Sequence, residues 1–139
     1  MSAVLLDTHV LVWLVSGNER LGVQARKLIQ GAADAGALHV SAITPWEIAV
    51  LVNKGRLTLE QDVGEWIRAA LALPGIRLAP LSPEVAVAST RLPGEMHPDP
   101  ADRIITATAR HLSADLLTAD GLLLHYGAAG HLQVVPAEK

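Results

Sequence analysis

Short apolar runs alternate with helix-patterned segments along the whole chain, and no other feature restricts the fold as strongly. Runs at residues 3–6, 38–40, 76–81, 116–118 and 132–135 have strand length and consist mostly of Leu, Val and Ile. Residues 9–15 make an apolar turn of helix stopped by Ser16-Gly17-Asn18. Leu21, Ala25, Leu28 and Ile29 have helical spacing, with Gly31 as the expected stop. Thr44-Pro45-Trp46-Glu47 opens a helix running to residues 53–55, with Thr44 as cap and Pro45 as first helical residue. Further helices are expected at 59–73, from Ser82-Pro83 to about residue 92, after Asp99-Pro100, and at 121–126. Pro93-Gly94-Glu95-Met96-His97-Pro98 is the clearest loop. The resulting order, β-α-α-β-α-α-β-α-α-β-α-β, implies an α/β fold. Its parallel central sheet has four to five strands, with helices on both faces.

The chain has 139 residues, no internal repeat and no linker-like stretch, so a single domain over 1–139 is expected. Half of the residues are hydrophobic, but there are only three Trp, one Tyr and no Phe, so the core is aliphatic. So much apolar surface in a short chain leaves some for a partner subunit, and homo-oligomerisation is expected on that ground. The absence of cysteine excludes disulfides, thiol catalysis and thiolate metal sites. No signal peptide and no run of membrane-spanning length is apparent, which suggests a cytoplasmic protein with no membrane partner. A net charge of −3 without a basic block excludes nucleic-acid binding by phosphate neutralisation alone. A bound divalent cation would remove that objection.

Four acids occupy equivalent places in this pattern. Asp7 ends the first strand, and Asp120 follows the fourth by one residue. Glu47 and Asp102 lie in the first turns of helices. In a parallel sheet the strand carboxyl ends and the following helix starts share one edge, where ligands bind. Asp115, at the start of a strand, belongs to the opposite edge. Carboxylates crowded in a partly buried pocket repel by roughly 4 kcal/mol per pair, and a cation or shared protons must relieve this. Oxygen ligands alone favour Mg²⁺, with Mn²⁺ as a substitute. Such an ion polarises phosphoryl oxygens and activates water, which points to phosphodiester hydrolysis.

Each residue also has a plainer reading. Asp7 and Asp120 can cap the helices that follow them. Glu47 can complete a capping box with Thr44. Asp102 can favour its helix dipole, although Asp99 is better placed as the cap. Thr8, Thr118 and Ser41 either orient carboxylates or cap. Arg103 either contacts a substrate phosphate or is a surface charge. His97 reads as a loop residue and His9 as a helix-face histidine. Trp13 and Trp66 read as core or interface, whereas Trp46 is open.

The motifs together resemble PIN-domain toxins of the VapC type. Leu5-Leu6-Asp7-Thr8-His9-Val10-Leu11-Val12-Trp13-Leu14 is similar to the opening of such chains. Ser41-Ala42-Ile43-Thr44-Pro45-Trp46-Glu47-Ile48-Ala49, followed by Lys54-Gly55-Arg56-Leu57, resembles their second motif. His97-Pro98-Asp99-Pro100-Ala101-Asp102-Arg103-Ile104-Ile105 resembles the third and Leu117-Thr118-Ala119-Asp120 the fourth. Some members have an aromatic residue where Ala101 stands, which leaves the acids intact. The resemblance implies a PIN fold and an Mg²⁺- or Mn²⁺-dependent endoribonuclease. It also implies a cognate antitoxin and, usually, a homodimer. Asp7, Glu47, Asp102 and Asp120 carry over as metal-site and catalytic residues, with Thr8, Thr118 and Arg103 supporting. The expected reaction is hydrolysis of an RNA phosphodiester by activated water, aligned or deprotonated by Glu47 or Asp120, leaving 5′-phosphate and 3′-hydroxyl ends. The antitoxin is expected to cover the acids, with an Arg or Lys in the cation's place. Two alternatives stand beside this. One is an Mg²⁺-dependent phosphatase with Asp7 as nucleophile, for which the partner acid at position 9 is missing. The other is a PIN-like module that binds RNA or a partner without cutting.

Overall fold

In a computed structural model, which describes residues 2–138, the expected alternation is present. Among the described residues there are five strands and seven helices. In chain order they are β1 (Val4–Leu6), α1 (Thr8–Ser16), α2 (Val23–Asp34), β2 (Leu38–Ser41), α3 (Thr44–Asn53), α4 (Val63–Leu71), β3 (Ile76–Ala79), α5 (Pro83–Ala88), α6 (Pro100–Leu112), β4 (Asp115–Thr118), α7 (Gly121–Ala128) and β5 (Val134–Pro136). The sheet order is β3-β2-β1-β4-β5, and every pairing is parallel. Leu5 pairs with His39 on one side and Leu116 on the other, which places β1 at the centre.

A strand with neighbours on both sides and helices over both faces should be apolar throughout. Val4, Leu5 and Leu6 are all buried. Successive side chains point to opposite faces. Val4 and Leu6 accordingly join Val10, Ile29, Ile48 and Trp66 in one cluster. Leu5 joins Ile105, Leu116, Leu123 and Tyr126 in another. Helices α1 to α4 therefore contribute to one layer and α6 and α7 to the other. No helix among the described residues is long and apolar enough to cross a membrane.

Several boundaries differ from expectation, each for a local reason. Helix α2 runs through Gly31 to Asp34, and the chain breaks at Gly36, whose φ of 69° is left-handed. Helix α4 begins only after Asp62, whose carboxylate caps the Glu65 N–H. Leu57 and Leu59, which extended the apolar pattern, pack on the core from outside the helix. Helix α5 stops at Ala88 because the Ser89 and Thr90 hydroxyls turn back onto the Ala86 and Val87 carbonyls. Strand β3 ends at Ala79, ahead of Pro80. The last strand begins at Val134 because Leu132 packs into the core instead.

Replacing Leu5 with Ala opens a cavity at the centre of the sheet. We expect a loss of about 2–5 kcal/mol in unfolding free energy, read from urea denaturation with circular dichroism.

Candidate active site

The chain leaves β1 toward β2 and β3 on one side and returns to β4 and β5 on the other. The carboxyl ends of β1 and β4 therefore flank the switch point of the sheet, the usual ligand crevice of such folds. Asp7 stands at the end of β1 and Asp120 two residues past the end of β4. The Asp7 N–H donates to the Leu117 carbonyl at 3.0 Å, which joins the two strand ends. One Asp7 oxygen accepts the Thr8 N–H at 2.8 Å, and the other accepts the Thr118 hydroxyl at 2.7 Å. Asp7 thus caps α1 and also faces the crevice. Thr118 orients it while accepting the Asp120 N–H at 3.0 Å.

Glu47 forms no capping box. Ile43 holds the cap position of α3, and Thr44 and Pro45 lie inside its first turn. The Thr44 hydroxyl lies 3.2 Å from that of Thr8, and the Thr8 hydroxyl donates to Glu47 Oε1. Thr8 is therefore the group that orients Glu47. Ser41 serves its own turn by accepting the Ile43 N–H.

Asp99 caps α6, its Oδ1 accepting the Asp102 N–H at 2.9 Å. It does more than cap. Carboxylate oxygens of Glu47, Asp99 and Asp102 all lie within 4.8 Å of one another. Sequence reasoning missed Asp99 as a member of the acidic site, because its capping role already accounted for it. Asp7 and Asp120 stand outside that tightest group, although both charges act on Asp102. Asp120 Oδ1 accepts the Leu122 and Leu123 N–H groups, so its capping role is real.

His97 and Arg103 both differ from the sequence expectation. His97 is more than a loop residue, since its Nε2 lies 2.7 Å from Asp102 Oδ2. Arg103 is neither a plain surface charge nor free to reach outward. It is half-buried, and its guanidinium donates to the carbonyls of Met96, His97 and Ser89. His9 is exposed on α1, yet its charge reaches Asp7 and Glu47. Trp13 and Trp66 are buried, whereas Trp46 is exposed.

Burial is the largest influence on each perturbed acid. It raises the pKa of Asp7 against the hydrogen bonds from Thr118 and Thr8. It raises that of Glu47 against the Thr8 bond, with Asp7 and Asp99 adding to the rise. It pushes Asp102 from 3.8 to about 7 against the His97 bond, and the charges of Asp7, Asp99 and Asp120 add to it. Among the described residues no Lys or Arg pairs with any of these acids. A set of carboxylate oxygens without a Lys or Arg partner fits a hard divalent ion such as Mg²⁺ or Mn²⁺.

The PIN domain family model matches residues 4–128. The chain belongs to the PIN-domain family. It is 35% identical over 120 residues to Ribonuclease VapC22 of Mycobacterium tuberculosis, spanning 86% of this chain and 88% of that protein. The PIN fold here is also similar to a toxin–antitoxin complex from Klebsiella pneumoniae. The TM-score is 0.63 at 25% identity, covering 96% of each chain. A third similarity, to VapBC2 from Rickettsia felis bound to a DNA fragment from its promoter, has a TM-score of 0.70. It covers 96% of this chain and 98% of that one, and at 14% identity it bears on the PIN fold alone.

The raised acids set a pH dependence for the metal-free protein. Between pH about 4 and about 7, Asp102 is ionised in the unfolded chain but still holds its proton in the folded one. The folded state then binds more protons, so stability falls as pH rises through that window. Asp7 and Glu47 act in the same direction. Urea denaturation in EDTA should show this fall, and Asp102→Asn should flatten it.

Proposed function

We propose that this PIN-domain chain is an endoribonuclease dependent on Mg²⁺ or Mn²⁺ and the toxin of a toxin–antitoxin pair. The observation that carries the proposal is the crowding of carboxylates at the switch point, most of them buried or half-buried, with no Lys or Arg paired to them among the described residues. The similarity to Ribonuclease VapC22 supports RNA as substrate. The similarity at 25% identity to a toxin–antitoxin complex supports an antitoxin as partner.

Asp7, Glu47, Asp102 and Asp120, joined by Asp99, would hold the ion. Once bound, it supplies polarisation of the scissile phosphoryl group and a lowered pKa for the attacking water. Asp7 cannot rotate freely, because both of its oxygens already accept hydrogen bonds. Thr8 fixes Glu47 Oε1, leaving Oε2 to accept the proton of the water. Burial moves Glu47 toward the working pH, where a general base is most effective. Attack by water, without use of the ribose 2′-hydroxyl, leaves a 5′-phosphate and a 3′-hydroxyl. The uncompensated negative charge also repels RNA until the ion is present, so cation and substrate binding are linked.

The apolar surface left over, including exposed Leu78, Leu81 and Val87, suits a homodimer, and the acids suit an antitoxin Arg or Lys in the cation's place. A single domain over residues 1–139 suits the continuous sheet.

RNA cleavage with Mg²⁺ or Mn²⁺, followed by analysis of the ends, tests the proposal. Asp7→Asn should lower the rate by about 100-fold or more, and EDTA should abolish it. Undiminished cleavage in either case contradicts the proposal.

A further inference from the structure

The loop between α5 and α6 carries a residue that contacts the acidic site and whose function is unassigned. Its backbone is tied down at several points. All three nitrogens of Arg103 donate to main-chain carbonyls: Nη2 to Met96 at 2.8 Å, Nε to His97 at 3.1 Å and Nη1 to Ser89 at 3.3 Å. A guanidinium keeps its charge and its fork of donors at any working pH, so this staple does not titrate away. The Tyr126 hydroxyl donates to the Pro93 carbonyl at the other end of the loop. A loop held in this way presents the His97 ring in one place. Its Nε2 lies 2.7 Å from Asp102 Oδ2, and both side chains are mostly buried, at 18% and 15% exposure.

We propose that His97 is a positioning residue for the cation site and that Arg103 acts through it by fixing the loop. The inference rests on the cation reading given above. A carboxylate that holds a divalent ion is ionised and only accepts hydrogen bonds, so the hydrogen must sit on His97 Nε2. That bond occupies Oδ2, and no protein donor among the described residues takes Oδ1. The ring thereby leaves Oδ1 free for the ion and holds Asp102 against rotation when the ion leaves. Outer partners that orient a metal ligand commonly govern affinity to about 10- to 100-fold. The short staple also explains why an arginine directly follows Asp102. Lysine has one nitrogen and cannot serve three carbonyls.

Calorimetric titration with Mn²⁺, in the absence of RNA, tests this. His97→Ala should weaken Mn²⁺ binding by about 10-fold or more. His97→Gln, whose amide nitrogen can donate at similar reach, should recover most of the loss. Arg103→Lys should weaken binding in the same direction. Equal affinity in His97→Ala and the wild-type chain overturns the assignment and leaves the cation reading intact. A wild-type chain that binds no Mn²⁺ contradicts both. A measurement that does not depend on the variants folding is long-range ¹H–¹⁵N spectroscopy of the wild-type imidazoles. The His97 Nε2 signal should shift on saturation with Mg²⁺ while that of exposed His111 stays in place. A His97 signal that does not move overturns the assignment.

Discussion

Everything at the site depends on one buried carboxylate at the end of the central strand. Asp7 is 6% exposed and lies among the main chains of β1 and β4. Removing a carboxylate from water is costly unless hydrogen bonds or an opposite charge compensate it. The protein supplies two donors, Thr8 N–H and the Thr118 hydroxyl, and among the described residues no Lys or Arg pairs with it. Glu47, Asp99, Asp102 and Asp120 then add negative charge around it. The cost is carried by the rest of the fold, above all by the aliphatic clusters on the two faces of β1. Under the proposed function such a site would trade stability for affinity toward a cation, as functional sites often do.

Parallel pairing makes this arrangement inexpensive to assemble. Strands β1 and β4 run side by side, so their carboxyl ends meet without any long connection crossing the sheet. Helices α1, α3 and α6 each begin near that edge, and their first turns bring Thr8, Glu47 and Asp102 to it. The threonines then act as spacers between acids. Thr118 links Asp7 to the Asp120 backbone, and Thr8 links α1 to Glu47. The acidic charges are held close, yet each acid keeps a defined direction.

Element order and the shared edge were readable in the sequence because both follow from period and polarity alone. The run Val4-Leu5-Leu6 ending in Asp7 has little meaning other than a buried strand with a functional end. Boundaries were less readable where apolar residues pack without being helical, as Leu57 and Leu59 do, or where hydroxyls end a helix early, as at Ser89 and Thr90. Glu47 was ambiguous because Thr44 and Glu47 have the spacing of a capping box, and only the position of Ile43 resolves it. Asp99 was hidden by its own success as a cap. His97 and Arg103 were not legible, since their roles arise from the path of a loop. No local pattern reveals that a side chain will turn back onto carbonyls six, seven and fourteen residues earlier.

The proposed function requires a divalent ion bound among these acids. Crystals of the wild-type chain soaked in Mn²⁺ and measured at the manganese absorption edge test it most directly. An anomalous peak is expected within ligand distance of carboxylate oxygens from Asp102 and at least one of Asp7, Glu47 and Asp99. No peak at saturating Mn²⁺, or a peak only at sites away from the carboxyl ends of β1 and β4, would contradict it.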